Sequence, residues 1–405
     1  MRKIAILVPD LELGGGQRVA VNMAEMFAKA GDNVQILMMS DDAPHFDTNV
    51  PIVSLNCQKK DSFIGKLLTI AQRVKAFKKL IQKEKYDVIV SFLESANLCA
   101  FLSAPKKSIL TIHGNPIIFT GFDRLMLTHV LRYSKNLVTV SDGLKVILQD
   151  QYGLKNVGVI KNAADPLEIQ EKAIKDTFTH PRKFMVAAGR IADVKQFDVM
   201  IDAFYQSKAS QDDNNSYDLI IIGDGEDREA LEMKISLQTK NTNSQGTVHL
   251  IGQKSNPFPI FNAAEFYLMS SKTEAFPMVL LEALSLGKPL VAYDCPTGVK
   301  EILVDGKNGI LVENQNQDAL ADAIDKMVYE KGLKEQLASN AVKSVENFTP
   351  ENINKHWQST FDQLEVRHQK WQRHSRLLSR FTIKKAILKT RLILCFLKIM
   401  TTTKL

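Results

Sequence analysis

Residues 271–309, SKTEAFPMVLLEALSLGKPLVAYDCPTGVKEILVDGKNG, decide how the rest of the chain is read. They predict a loop, a helix opened at Phe276-Pro277, a buried strand at 290–292 and a return toward a further strand at 310–312. Pro277 suits the first helical position, because the N–H it lacks would be unpaired there anyway. The first-turn amides of Met278, Val279 and Leu280 are then expected as free donors, and such a helix end attracts anions, phosphate most of all. Glu274, on the loop, is a candidate for binding sugar hydroxyls. Glu282, inside the helix, can accept two hydrogen bonds from a vicinal diol such as a ribose. A glutamate pair at this spacing is more often a cap and a solvated carboxylate, so the neighbouring residues must decide.

The same alternation of short apolar runs and amphipathic stretches extends outward in both directions. Runs at 4–8, 34–38, 88–91, 108–111, 137–140 and 157–160 read as one set of strands. Runs at 184–188, 219–222, 248–250, 266–269, 290–292 and 310–312 read as a second. Continuous apolar strands separated by helices are the pattern of parallel sheets covered on both faces. With 405 residues, the chain exceeds the roughly 250–300 at which a single core stops growing. The fold class expected is therefore α/β, with two doubly wound Rossmann-like domains. The expected divisions are 1–170, 171–350, a closing helix at 351–365 and a tail at 366–405.

The chain is 45% hydrophobic and 24% charged, the composition of an ordinary globular protein. Its start, MRKIAILVPD, has too short an apolar run for a secretory signal and reads as a first strand. Cys57, Cys99, Cys295 and Cys395 are scattered and form no C-x-x-C, which fits neither a disulfide framework nor a zinc site and suggests a reducing compartment. The net charge is +7, yet residues 366–405 hold eleven Lys or Arg and no acid, leaving 41 basic against 45 acidic residues elsewhere. The basic character belongs to the tail. No basic groove interleaved with aromatics occurs in the body, so nucleic acid is a poor partner.

Three further stretches carry chemistry. Leu13-Gly14-Gly15-Gly16-Gln17-Arg18-Val19 is the first βα turn, where Gly15 and Gly16 let backbone approach a phosphate at a helix end. A dehydrogenase would want G-x-G-x-x-G and a later acid; no third glycine stands at that spacing, which argues against redox chemistry. His113 follows a strand and precedes glycine, a place in the cleft of an open α/β sheet. Arg190 and Lys195 lie beyond the strand 184–188, as two cations suited to a departing diphosphate. Gly223-Asp224-Gly225 reads equally as a site or a simple turn.

Together these segments resemble the family 4 retaining glycosyltransferases. The resemblance rests on E-G-F-P-x-x-x-x-E, G-x-P-V and G-x-x-E-I-x-x-x-G-x-x-G in the opening stretch, and on G-G-x-E-R-V and G-R-x-x-x-x-K-G elsewhere. Ala275, Gln17 and Gln196 stand where that family has Gly, Glu and Gly. A methyl at Ala275 is expected to tighten the sugar pocket. The resemblance covers roughly residues 1–365 and implies the GT-B architecture, with two Rossmann-like domains facing across a cleft.

It implies catalytic roles for His113, Glu274, Arg190 and Lys195. It further implies donor binding by Gly15, Gly16, Gly252, Phe276, Pro277, Met278, Val279 and Glu282. His113 would contact the donor sugar, Gly252 would lie in the base-binding loop, and the helix at 351–365 would cross back to the first domain. No metal and no cofactor is expected, since no D-x-D follows a strand and the cations supply the positive potential. The donor implied is a nucleotide diphosphate sugar, most simply a UDP-sugar, transferred with retention to the acceptor hydroxyl.

The tail places Leu377, Phe381, Leu388, Leu392, Cys395 and Ile399 on one helical face beside a basic stripe. No apolar run there reaches the roughly 18 residues of a span, so a helix lying on an anionic membrane surface is expected. A second basic stretch, 59–85, has Leu67, Ile70, Val74, Phe77 and Ile81 on one face and serves equally as an ordinary outer helix. Both favour a lipid-linked or membrane-bound glycan acceptor at the cytoplasmic face of the cell membrane. The competing readings are a soluble transferase making a disaccharide or storage polymer, and a catalytically silent GT-B binding partner.

Overall fold

A computed structural model describes residues 1–12, 14–57, 63–116, 119, 121–125, 130–242 and 244–378. The first sheet comprises β1 (Lys3–Val8), β2 (Asn33–Met38), β3 (Ile52–Ser54), β4 (Val88–Phe92), β5 (Ser108–Ile112), β6 (Leu137–Thr139) and β7 (Val157–Val159). The second comprises β8 (Phe184–Ala188), β9 (Asp218–Ile222), β10 (Val248–Leu250), β11 (Phe266–Met269), β12 (Leu290–Tyr293) and β13 (Gly309–Val312). The spatial orders are β3-β2-β1-β4-β5-β6-β7 and β10-β9-β8-β11-β12-β13. All the pairings are parallel. These are two doubly wound Rossmann-like domains, as the apolar runs imply.

β4, β5 and β9 are buried at every residue, which requires helices on both faces of each sheet. The strand order reverses between β1 and β4, and again between β8 and β11. Ligand crevices of open sheets lie beyond the strand C-termini at such switch points. The residues leaving β1, β4, β5, β8 and β11 therefore form the candidate site. β3 is the strand that the apolar pattern did not signal, a half-buried three-residue edge strand after Pro51.

The helix Pro350–Leu378 returns to the first domain. Its Ile353, Trp357, Phe361 and Leu364 join the core that covers one face of the first sheet. Trp357 is 1% exposed and meets Phe27 edge-on at 5.9 Å, with Phe361 on the same ring at 5.3 Å. Arg2 fastens the return, with Nε donating to Glu365 Oε1 at 2.7 Å and the guanidinium also bonded to Gln358 and Asp362. Beyond Leu378 the expected basic tail lies outside the described residues.

In the helix Phe63–Glu84 the apolar stripe faces inward: Phe77 is buried, and Ile70, Val74 and Ile81 pack on the core. Lys75, Lys78 and Lys79 are exposed, the arrangement of an outer helix. Cys57, Cys99 and Cys295 are buried free thiols, and burial pushes Cys99 up to about 12. Among the described residues no helix is long and apolar enough to cross a membrane.

Candidate active site

The first domain contributes three elements to the cleft. After β1, Gly14 caps the helix Gly15–Lys29 in extended conformation without any side-chain cap. Nothing covers Gly15, whereas a Cβ on Gly16 would sit 3.1 Å from Leu93 Cδ2. Leu93, leaving β4, holds φ at 67°, a conformation that costs a non-glycine residue about 1–3 kcal/mol and that clusters at functional sites. Gln17 Nε2 donates to Asp10 Oδ1 at 3.0 Å. A glutamate, as in the resembling family, would be repelled there.

His113 leaves β5 and stacks on Phe92, with centroids 4.6 Å apart. Thr111 Oγ1 gives its proton to the Ser91 carbonyl at 2.7 Å, so it accepts from His113 Nε2–H at 2.9 Å. That network assigns the lone pair to Nδ1, which is buried without a protein partner. An acceptor in that position suits a ligand hydroxyl.

Burial pushes the His113 imidazole down to about 3, so the ring is neutral at physiological pH. Because its folded pKa lies below the unfolded value, its stabilisation is complete above about pH 6.5 and is lost as pH falls toward 3, at roughly 1.4 kcal/mol per unit. Urea unfolding at pH 7 and 4.5 is expected to show His113→Gln losing about 2–3 kcal/mol less than the parent. Equal losses would remove the buried neutral ring from the account.

The second domain contributes a clamp beyond β8. Tyr267 O–H donates to the Ala188 carbonyl and accepts from its N–H, both at 3.0 Å, which fixes the exit from the strand. Gly223 and Gly225 serve the same loop. A Cβ on either would lie 1.9 Å from the Gly189 carbonyl oxygen or 2.2 Å from that of Ile191. Gly223-Asp224-Gly225 is thus a turn whose two glycines are required by close packing on the loop after β8. Lys195 Nζ is bonded to Glu274 Oε1, which also accepts from Ser271 Oγ at 2.8 Å. Gln196 has φ 49°, the left-handed conformation that explains why glycine is usual there.

Around Glu274 a small pocket is lined by Lys195, Phe197, Tyr267, Ser271 and Val279. Arg190 stands apart, 69% exposed at its side chain, with Nη2 3.7 Å from Glu226 Oε1. The structure brings Lys195 and Glu274 together and leaves Arg190 at the rim. Gly252 follows β10 at φ 73°, its carbonyl accepting from Gly223 N–H at 3.1 Å.

The helix Met278–Ser285 starts one residue later than expected, with Pro277 as its cap at ψ 105°. Leu280 N–H is not free, as it bonds the Pro277 carbonyl at 3.2 Å. Met278 and Val279 head the helix, with no carbonyl a turn back within it. Phe276 packs on Phe348 at 5.6 Å. The Ala275 methyl belongs to the hydrophobic core and is not among the residues lining the small pocket around Glu274. Glu282 is 3% exposed. It is stabilised from across the cleft by Arg18, whose Nη2 lies 3.1 Å from Oε1 and whose guanidinium carbon sits 5.7 Å from the centroid of Phe258.

Arg18 stands in the first βα turn and Glu301 in the opening stretch, both without an assigned role, whereas Asn115, Gly143 and Lys161, which also join the domains, carry no sequence signal. Asn115 bonds Thr273 and reaches the Pro296 carbonyl at 3.4 Å. Glu301 accepts from Gly143 N–H at 3.1 Å and pairs with Lys161 at 2.9 Å. Glu274 and Glu282 thus each have a cationic partner.

The description "Glycosyltransferase Family 4" matches residues 13–167, and "Glycosyl transferases group 1" matches 168–344. The chain belongs to the GT-B glycosyltransferases. An uncharacterized glycosyltransferase of Haemophilus influenzae is 24% identical, over 88% of this chain and 99% of that protein. A Campylobacter jejuni protein is 23% identical over 88% and 97%; it is the GalNAc-alpha-(1->4)-GalNAc-alpha-(1->3)-diNAcBac-PP-undecaprenol alpha-1,4-N-acetyl-D-galactosaminyltransferase. Anabaena HepE, solved with UDP and glucose, superposes with a TM-score of 0.71 at 18% identity, over 90% of this chain and 100% of that one.

Proposed function

We propose that the protein transfers a hexose or N-acetylhexosamine, with retention, from a nucleotide diphosphate sugar, most simply a UDP-sugar, to a lipid-linked or membrane-bound glycan acceptor. The observation that carries the proposal is the convergence on one cleft of the Gly15–Gly16 helix end, the Lys195–Glu274 pair and the buried Glu282. The Campylobacter relative acts on an undecaprenol-linked glycan and the Anabaena neighbour holds UDP, which supports the choice of substrate class.

In this reading the ribose takes the Glu282 carboxylate and the diphosphate lies between the head of the Gly15–Lys29 helix and Lys195. Arg190 swings in from the rim. Those groups stabilise charge as it develops on the leaving phosphate. His113 Nδ1 accepts from a sugar hydroxyl, and Glu274, paired with Lys195, orients the sugar. The acceptor hydroxyl attacks on the face the diphosphate leaves, and a phosphate oxygen takes its proton. No step needs a metal, because Lys195, Arg190 and two helix ends supply the positive potential, so transfer is expected to persist in EDTA.

The test is a thermal-shift series with UDP-, GDP- and ADP-sugars, followed by donor hydrolysis without acceptor. A shift with one nucleotide and slow release of its sugar are expected. No shift with any of them would overturn the donor site, and binding without turnover would favour a silent binding partner. Membrane flotation of the full chain and of residues 1–365 tests the location: the full chain is expected to float with anionic vesicles and the shorter one to stay behind. Equal behaviour would favour the soluble transferase.

A further inference from the structure

The second sheet carries a cluster of metal-ligating side chains at the end of its strands remote from the cleft. Asp218 opens β9, which runs five residues to Ile222, so the cluster lies roughly 13 Å, one strand length, from the switch point. Asp218 is 2% exposed. Its Oδ1 accepts from Thr247 N–H at 2.8 Å and lies 3.4 Å from Arg182 Nη1. Its Oδ2 faces two imidazoles, with Nε2 of His180 at 2.6 Å and Nε2 of His249 at 3.2 Å. The three ligand atoms lie within 4.8 Å of one another.

Other contacts hold the same arrangement. The His180 ring stacks parallel to Phe178, with centroids 6.4 Å apart, and meets the edge of Phe184 at 5.4 Å. Asp218 presents one oxygen inward while its other is held from behind by a backbone amide and an arginine, as outer partners hold a monodentate metal-ligating carboxylate. Zinc bonds of about 2.0–2.1 Å place tetrahedral ligand atoms about 3.3 Å apart. His249 and Asp218 already stand at that separation, and His180 needs to withdraw by less than about 1 Å. The His249 side chain is 36% exposed, which lets water reach the fourth position.

We propose that His180, Asp218 and His249 bind a divalent transition metal, zinc by the chemistry of the donor set, at a structural site. Each imidazole binds through Nε2 with its proton on Nδ1, the tautomer opposite to the one that donates from Nε2 to Asp218. The three ligands come from the segment entering the second domain, from β9 and from β10. The ion would therefore pin the incoming chain to the edge of the second sheet and would take no part in the cleft.

The experiment uses the tag-free full chain, stripped with EDTA and dialysed, then titrated with zinc chloride by calorimetry and with cobalt chloride by visible absorption. One equivalent is expected to bind, with tetrahedral cobalt bands, a rise in Tm and unchanged donor turnover. His249→Gln is expected to weaken binding about ten- to a hundredfold, and His180→Gln likewise. If His180→Gln does not fold, the more exposed His249→Gln decides. Absence of stoichiometric binding in the parent, or cobalt bands unchanged in His249→Gln, would overturn the site and leave a hydrogen-bonded triad.

Discussion

Lys195→Met is expected to slow sugar transfer by about ten- to a hundredfold or more, since a charge-assisted hydrogen bond contributes about 1.5–3 kcal/mol and about 1.4 kcal/mol is one decade of rate. The same change lowers stability. The side chains of Lys195 and Glu274 are 25% and 13% exposed, and removing one partner leaves a half-sheltered charge with Ser271 as its remaining donor. A destabilisation of about 2–3 kcal/mol is expected, below the range for a fully buried pair because solvent still screens this one. Glu274→Gln separates the two effects: it removes the charge while its amide oxygen can still accept from Lys195 Nζ, so Tm falls less while kcat still drops. Full activity in Lys195→Met would show that the lysine serves only to hold Glu274.

Glu282 and Arg18 are expected to respond in opposite ways to donor. Glu282→Gln should abolish most of the donor-induced thermal shift, with Kd weakened at least about tenfold if one charge-assisted bond to the ribose is lost. Arg18→Ala should lower the Tm of the free protein, because it leaves a carboxylate that is 4% exposed without its cation. It should also enlarge the shift produced by donor, since the ribose then satisfies a group that otherwise has no partner. The readout is ΔTm against donor concentration in the parent and both variants. Equal loss of shift in the two would place Arg18 on the donor itself and not on the carboxylate opposite.

The fold was legible because most strands are short apolar runs alternating with amphipathic helical stretches, the pattern of a parallel sheet covered on both faces. The edge strand β3 was not, since Ile52-Val53-Ser54 is too short and too exposed to register. At the site, Gly15, Gly16, His113 and Gly252 stand just beyond strand ends, as the sequence pattern implies, whereas the contacts made by long side chains follow no local pattern. Arg18, Asn115, Lys161 and Glu301 act across the domain boundary, and no local spacing encodes a partner more than a hundred residues away. Glu301 was visible within a motif, yet its contacts make it a joint between domains. Arg190 and Lys195 looked alike as cations beyond one strand; burial separates them, since one is held on Glu274 and the other stays at the rim.

The return of the helix Pro350–Leu378 to Phe27 and Arg2 orders the assembly of the molecule in time. The outer layer of the first sheet has no cover for Phe27 until Trp357 and Phe361 have been made, roughly two hundred residues after the last strand of that sheet and on the order of 10–40 s later at ordinary translation speeds. During that interval the Phe27 face of the nascent first half stays uncovered, and it can close only once the second half has been made.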